Sequence, residues 1–144
     1  GDHHAAAEAL TLSGAVLDPT STDTTLAWFD RHDPARMAAV TGHVALRAGD
    51  HTRARDALTN ALRGLEPTAR RERIGCLIDL ATAELHTGNH PEACLLATKA
   101  AELLSRAPYT TGTTRLQAFR TTAARPLGRR ALRILDTHLN HPAA

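Results

Sequence analysis

Two stretches of this chain repeat each other at an offset of 39 residues, and that repeat narrows the accessible folds more than any other feature. Gly42 aligns with Ala81, Gly49 with Gly88, Asp50 with Asn89 and His51 with His90. The same offset pairs Ala54 with Ala93, Leu58 with Ala97 and Ala61 with Ala100. Each unit reads as an apolar-periodic run, a turn containing Gly, and a second such run. Small residues fall where two helices would cross, which allows an approach at the close end of the ~8–10 Å interaxial range. The turn Gly supplies the left-handed backbone that a helix exit often needs. One such hairpin buries only part of its apolar surface, so units of this kind stabilise one another by stacking.

Composition agrees with helices rather than sheet. Aromatic residues are 3% of the 144, while Ala occurs 28 times and Leu 20 times, so small aliphatic side chains must fill the core. Sheets favour β-branched and aromatic residues instead. No stretch alternates with period two over a strand length, and the expected class is all-α. The length suits one domain spanning 1–144.

Pro, Gly and capping residues divide the chain further. A first apolar run covers about 5–17, and residues 18–23 read as a loop. Asp33 before Pro34 is an N-cap followed by a first-turn proline. The helix they open is expected to reach Ala48, with Met37, Val40, Val44 and Ala48 on its inner side, and Gly49 ends it. Asp50 caps a second helix in which Ala54, Ala57, Leu58, Ala61, Leu62 and Leu65 follow helical spacing, and Pro67 closes the unit. A third helix spans roughly 68–87, carrying Ile74, Leu77, Ile78, Ala81 and Leu85 on one face, and Gly88 stops it. Asn89 and Glu92 have the spacing of a capping box, ahead of Ala93, Ala97, Ala100 and Leu104. Pro108 and Gly112 read as the next break. Two more helices are expected near 113–124 and 126–140, giving six or seven in all, the last with Leu127, Ala131, Ile134, Leu135 and Leu139 as its apolar stripe.

The repeat resembles the tetratricopeptide repeat. Gly42, Gly49, Ala54, Leu58 and Ala61 match that family's small and apolar positions, and Ala81, Gly88, Ala93, Ala97 and Ala100 match more loosely. Ala38, Ala45 and Glu84 stand where the family places large side chains, and Pro67 is one residue late for the closing proline. Residues 26–120 also resemble the repeat-bearing C-terminal regions of actinobacterial helix-turn-helix transcriptional regulators. The strings that carry this are Trp28-Phe29-Asp30, Leu46-Arg47-Ala48-Gly49, Asp79-Leu80-Ala81-Thr82-Ala83, Glu92-Ala93-Cys94 and Thr114-Arg115. These resemblances imply an antiparallel helical hairpin array, a tetratricopeptide-like α-solenoid, with units near 35–67 and 74–106 and a C-terminal capping helix pair. The structural repeat residues are then Gly42, Gly49, Ala54, Ala61, Ala81, Gly88, Ala93 and Ala100. No DNA-reading motif is present in the chain, and Gly1 in place of Met reads as a cleavage or cloning boundary, so a piece of a longer protein is expected. Sixteen Arg against one Lys, together with the Ala content, suggest a GC-rich bacterial genome.

Candidate chemistry is sparse. His86, His90 and Cys94 are spaced by four, but Gly88, Asn89 and Pro91 interrupt the helix a metal site would need, so no metal or other cofactor is expected. Cys76 and Cys94 lie in apolar runs without a base placed to activate either, which reads as buried reduced thiols in a cytoplasmic protein rather than nucleophiles. Trp28 and Phe29 read as core plugs. No phosphate loop, nucleophile elbow or metalloprotease motif occurs, and no run reaches the ~18 apolar residues of a membrane span.

Charge is segregated. Residues 1–35 carry Asp2, Glu8, Asp18, Asp23, Asp30 and Asp33 against Arg31, whereas seven Arg (106, 115, 120, 125, 129, 130 and 133) lie between Glu102 and Asp136 with no acid among them. They must be solvated or paired. Aromatics for base stacking are missing there, so direct nucleic-acid binding is not expected. The function expected is non-catalytic: a protein- or peptide-binding or sensing domain of a bacterial transcriptional regulator. Its groove would be lined by the first helices of successive hairpins, with Arg36, Arg47, Arg73 and Glu84 as polar contacts and Arg129, Arg130 and Arg133 as a basic end. The alternatives are an oligomerisation module for an attached DNA-binding domain and a helical accessory domain of a biosynthetic enzyme.

Overall fold

In the computed structural model, which describes residues 33–140, the chain forms α1 (Pro34–Arg47), α2 (His51–Gly64), α3 (Arg70–His86), α4 (His90–Arg106) and α5 (Thr110–Asn140). Among the described residues there is no strand. The run at 5–17, the loop at 18–23 and Trp28-Phe29 lie outside them. The chain divides into two compact units, Gly1–Leu65 and Glu66–Ala144, and the division falls beside the Pro67 break.

In the first unit α1 packs against α2. Asp33 caps α1 by accepting from the Arg36 amide at 3.1 Å, and Asp50 caps α2 through the Arg53 amide at 3.2 Å. Between them Gly49 takes φ +83°. The Asp50 amide donates to the Ala45 carbonyl and the Gly49 amide to the Leu46 carbonyl, the Schellman arrangement. Of the expected core positions of α2, Ala54, Leu58 and Ala61 are fully buried and Leu65 is buried, while Ala57 and Leu62 are half-buried. Those of α1 are not. Ala35, Gly42 and Ala45 are its buried residues, while Val40 is 49% exposed. The expected face of Met37, Val40, Val44 and Ala48 is rotated away because closeness rather than hydrophobicity selects the contact. A Cβ on Gly42 would lie 2.5 Å from Leu58 Cγ, and one on Gly64 would lie 2.8 Å from Ala35 Cβ.

The second unit begins with a hairpin whose turn repeats the first bond for bond. Gly88 takes φ +85°, the Asn89 amide donates to the Glu84 carbonyl and the Gly88 amide to the Leu85 carbonyl. Ala81, Ala93, Ala97 and Ala100 are all buried at the expected positions. The capping box is absent, however. The Asn89 side chain makes no cap bond; its amide donates instead to Oε2 of buried Glu84 at 2.7 Å. A buried carboxylate needs donors more than a helix end in water does.

Helix α3 packs on both α4 and α5, which explains why it is buried far beyond one face: Cys76, Asp79, Leu80, Ala83 and Glu84 join the expected stripe. Asp79 pairs with Arg115 of α5. Pro108 lies in the connection, but Gly112 is inside α5 and does not break the chain. Its missing side chain makes room for the Tyr109 ring, which a Cβ would meet at 2.6 Å. That ring lies under Arg71 (4.8 Å from guanidinium carbon to centroid), and its hydroxyl donates to the Arg71 carbonyl at 3.3 Å.

Helix α5 is not a rod. Gly128 has φ 78° and ψ 170°, outside helical values, and Arg120 donates to Asp136 through Nε and Nη2. A continuous helix would separate residues sixteen apart by ~24 Å, so the chain doubles back at Gly128. Segment 110–127 runs antiparallel to segment 129–140, with the turn at Gly128 rather than before Pro126. The last segment buries Leu132 and Leu135, whereas Ile134 is 50% exposed. The expected stripe is therefore split across two faces.

Candidate functional site

The second unit carries a groove of about 500 Å³ between α4 and the part of α5 from Leu127 onward. His90, Pro91, Cys94, Leu95 and Thr98 form one wall; Leu127, Ala131 and Ile134 form the other. On α4 the spacing 90, 91, 94, 95, 98 follows one helical face, distinct from the core face of Ala93, Leu96, Ala97, Ala100 and Leu104. Thr98 donates its hydroxyl to the Cys94 carbonyl at 2.8 Å, so the lining is more apolar than its composition suggests. Leu95 and Ile134 are 49% and 50% exposed. Large apolar side chains left in water on both walls of one groove are the feature that most marks it as a surface for something else. In the same unit His138 Nε2 lies 3.9 Å from Glu102 Oε1.

A second cleft of about 380 Å³ lies on the other flank of the last segment. Arg120, Arg129, Leu132, Arg133 and Asp136 line it. Residues 129, 132, 133 and 136 share a face of that segment, and the fold-back brings Arg120 across to them. Asp136 is held below the ordinary carboxylate value by the hydrogen bond and charge of Arg120.

The residues singled out from sequence are distributed as follows. Arg36 belongs to the first unit, where its Nε pairs with Asp33 at 2.6 Å beside the cap it helps form. Arg47 is exposed in the last turn of α1. In the second unit Arg73 is half-buried, and Glu84, expected as a groove contact, is only 4% exposed and turned to Asn89. Arg129 and Arg133 share the basic cleft; Arg130 does not line it. This groove is built by second helices of hairpins and is distinct from the one expected along the first helices; nothing in the spacing marks Leu95, Leu127 and Ile134 as a site. Of the seven arginines, Arg115 and Arg120 are paired, to Asp79 and Asp136.

Cys76 is buried, and burial pushes its thiol up to about 11, with the charge of Asp79 adding to the shift. At neutral pH it is a protonated core side chain. His86 Nδ1 donates to the Thr82 carbonyl at 2.8 Å, apart from the His90 and Cys94 that line the groove. Among the described residues no three His, Cys, Asp or Glu are grouped to hold a metal, and no helix is long and apolar enough to cross a membrane. No protein-family model, curated protein or solved structure matches the chain.

Proposed function

We propose that this chain is a non-catalytic interaction module of tetratricopeptide-like helical hairpins, and that its second unit holds an acidic amphipathic helix of a partner protein in the α4–α5 groove. The observation that carries the reading is the pair Leu95 and Ile134, half exposed on opposite walls of one apolar groove. An amphipathic helix presents apolar residues at i, i+3 or i+4 and i+7, the geometry such a groove receives. Acidic flanks suit the rims. Arg130 is one turn from Ile134 and Lys99 one turn from Leu95, and both are exposed. The matched Schellman turns at Gly49 and Gly88 support the repeat reading, and the resemblance of residues 26–120 to actinobacterial regulators supports a role in which the partner controls an attached DNA-binding domain.

The test uses designed helical peptides that share one Leu stripe and differ in the sign of the flanking charges. The acidic peptides should bind, should protect Cys94 from maleimide, and should lose affinity with Leu95→Asp or Ile134→Asp. Binding that is indifferent to both substitutions would overturn the reading. A chain whose hydrodynamic mass doubles with concentration, and returns to monomer with Ile134→Asp, would make the groove an oligomerisation surface instead.

A further inference from the structure

We propose that Arg120, Arg129 and Arg133 form a binding site for a dianionic phosphate monoester group, separate from the apolar groove. Three arginines and one aspartate line the cleft, and Asp136, paired with Arg120, neutralises one of the three charges. Arg120 meets Asp136 through its Nε and Nη2, which fixes the plane of the guanidinium and leaves its Nη1 edge for a second acceptor. Arg129 and Arg133 stand one turn apart on the opposing segment and pair with no acidic side chain among the described residues. Both are carried on a helix that buried Leu132 holds against its neighbours, so their backbones are already ordered before any ligand arrives.

The charge left over is that of a dianion, which selects among oxyanions. A carboxylate or a phosphodiester carries a single charge and would leave one guanidinium uncompensated, whereas a monoester near neutral pH carries about −1.5 to −2. Planar guanidinium forks match phosphate oxygens in pairs, an advantage a Lys lacks. The position of Arg129 adds to this. It opens the helix that restarts after Gly128, and the first turn of a helix carries positive potential from its unpaired amides.

The experiment titrates the full chain with phenyl phosphate and, in parallel, dimethyl phosphate at constant ionic strength, following the arginine Nε–Hε signals by NMR. Phenyl phosphate should shift Arg120, Arg129 and Arg133 saturably, with dimethyl phosphate at least about tenfold weaker. Arg129→Gln or Arg133→Gln should each weaken phenyl phosphate by about tenfold, the scale of one lost charge-assisted hydrogen bond. Arg133→Lys should also weaken it, because charge without the fork is not enough, while Arg106→Gln, in the same unit but not lining the cleft, should leave it unchanged. Far-UV circular dichroism checks that each variant is folded. Linear shifts spread over all arginines, equal response to the diester, or full affinity in both Gln variants would each overturn the proposal. Because the groove lies on the other flank, Ile134→Asp should leave phosphate binding intact, so failure of one site does not stand in for failure of the other.

Discussion

Gly42 and Leu58 occupy the helix crossing of the first hairpin, and the equivalent positions of the second are Ala81 and Ala97. The pair exchanges volume: where one hairpin has no side chain against a Leu, the other has Ala at both places. Gly42→Ala therefore has opposite effects in two backgrounds. In a helix interior the change gains ~1 kcal/mol from lower backbone entropy. In the native hairpin the new Cβ would fall 2.5 Å from Leu58 Cγ and 2.7 Å from Cδ2, far inside contact distance, and such overpacking costs ~1–3 kcal/mol. Because the neighbour is a fully buried side chain, the cost falls in the upper part of that range, ~2–3 kcal/mol, and the expected net effect is a loss of ~1–2 kcal/mol. Leu58→Ala alone should cost ~2–5 kcal/mol, since the side chain is fully buried and leaves a cavity. In that background the obstacle is gone, and Gly42→Ala should now stabilise by ~1 kcal/mol, through propensity and partial filling. Wild type, the two single variants and the double variant are compared by urea unfolding followed by circular dichroism. The coupling should be ~2–3 kcal/mol, beyond the additivity of independent sites. If Gly42→Ala has the same sign in the native background and in the Leu58→Ala background, the crossing is not what selects these residues.

Other expectations follow from the second unit. Ala93→Leu, at a position with no exposed surface, should destabilise by ~1–3 kcal/mol through overpacking, read as a lower melting temperature. Asn89→Ala removes a donor from the Glu84 carboxylate and should cost ~1–3 kcal/mol, whereas Asn89→Asp should cost more by adding a like charge; urea unfolding ranks the two. Ellman's reagent should titrate one thiol, Cys94, in the native protein and the second, Cys76, only after unfolding. Asp136 has a depressed folded value relative to the ordinary 3.8. Its contribution to stability is therefore present above that value and fades as pH falls through the lower folded one; Asp136→Asn should flatten this part of the acid-denaturation profile.

The hairpins are legible in the sequence because local rules suffice for them. Asp33-Pro34, Gly49-Asp50 and Gly88-Asn89 act within a few residues, and each sits at the helix boundary its chemistry predicts. Sequence reading fails where a residue answers to a distant partner. Asn89 serves the carboxylate of Glu84 rather than its own helix. Gly112 reads as a breaker but is small for the sake of Tyr109. Val40 is apolar at helical spacing, yet the contact goes to the smaller Gly42 face, because the crossing rewards approach over hydrophobicity.

The two candidate sites show the same limit from the functional side. A run of arginines without an intervening acid implies partners, but spacing along the chain cannot say that Arg115 reaches Asp79 across α3 or that Arg120 meets Asp136. Both depend on where the chain turns. The reversal at Gly128 decides most of it. With the fold-back, the segment 129–140 has three distinct neighbourhoods around its axis: Leu132 and Leu135 inward, Ala131 and Ile134 toward α4, and Arg129, Arg133 and Asp136 toward Arg120. A periodicity argument assigns a helix one apolar face, and so merges Leu135 with Ile134 and assigns the arginines no particular partner. Replacing Gly128 by Val separates these accounts. The left-handed φ of 78° is strained for a β-branched residue, and straightening the break would carry Asp136 away from Arg120. Gly128→Val should therefore abolish the Arg120 and Asp136 pairing, open the apolar groove and disperse the basic cleft together, while leaving the thiol of Cys76 protected in the α3–α4 hairpin. Loss of the Arg120 Nε–Hε signal shift along with retained Cys76 protection is the expected pair of results; a groove and cleft that survive the substitution would mean that the turn is held by the packing of Leu132 and Leu135 and not by Gly128.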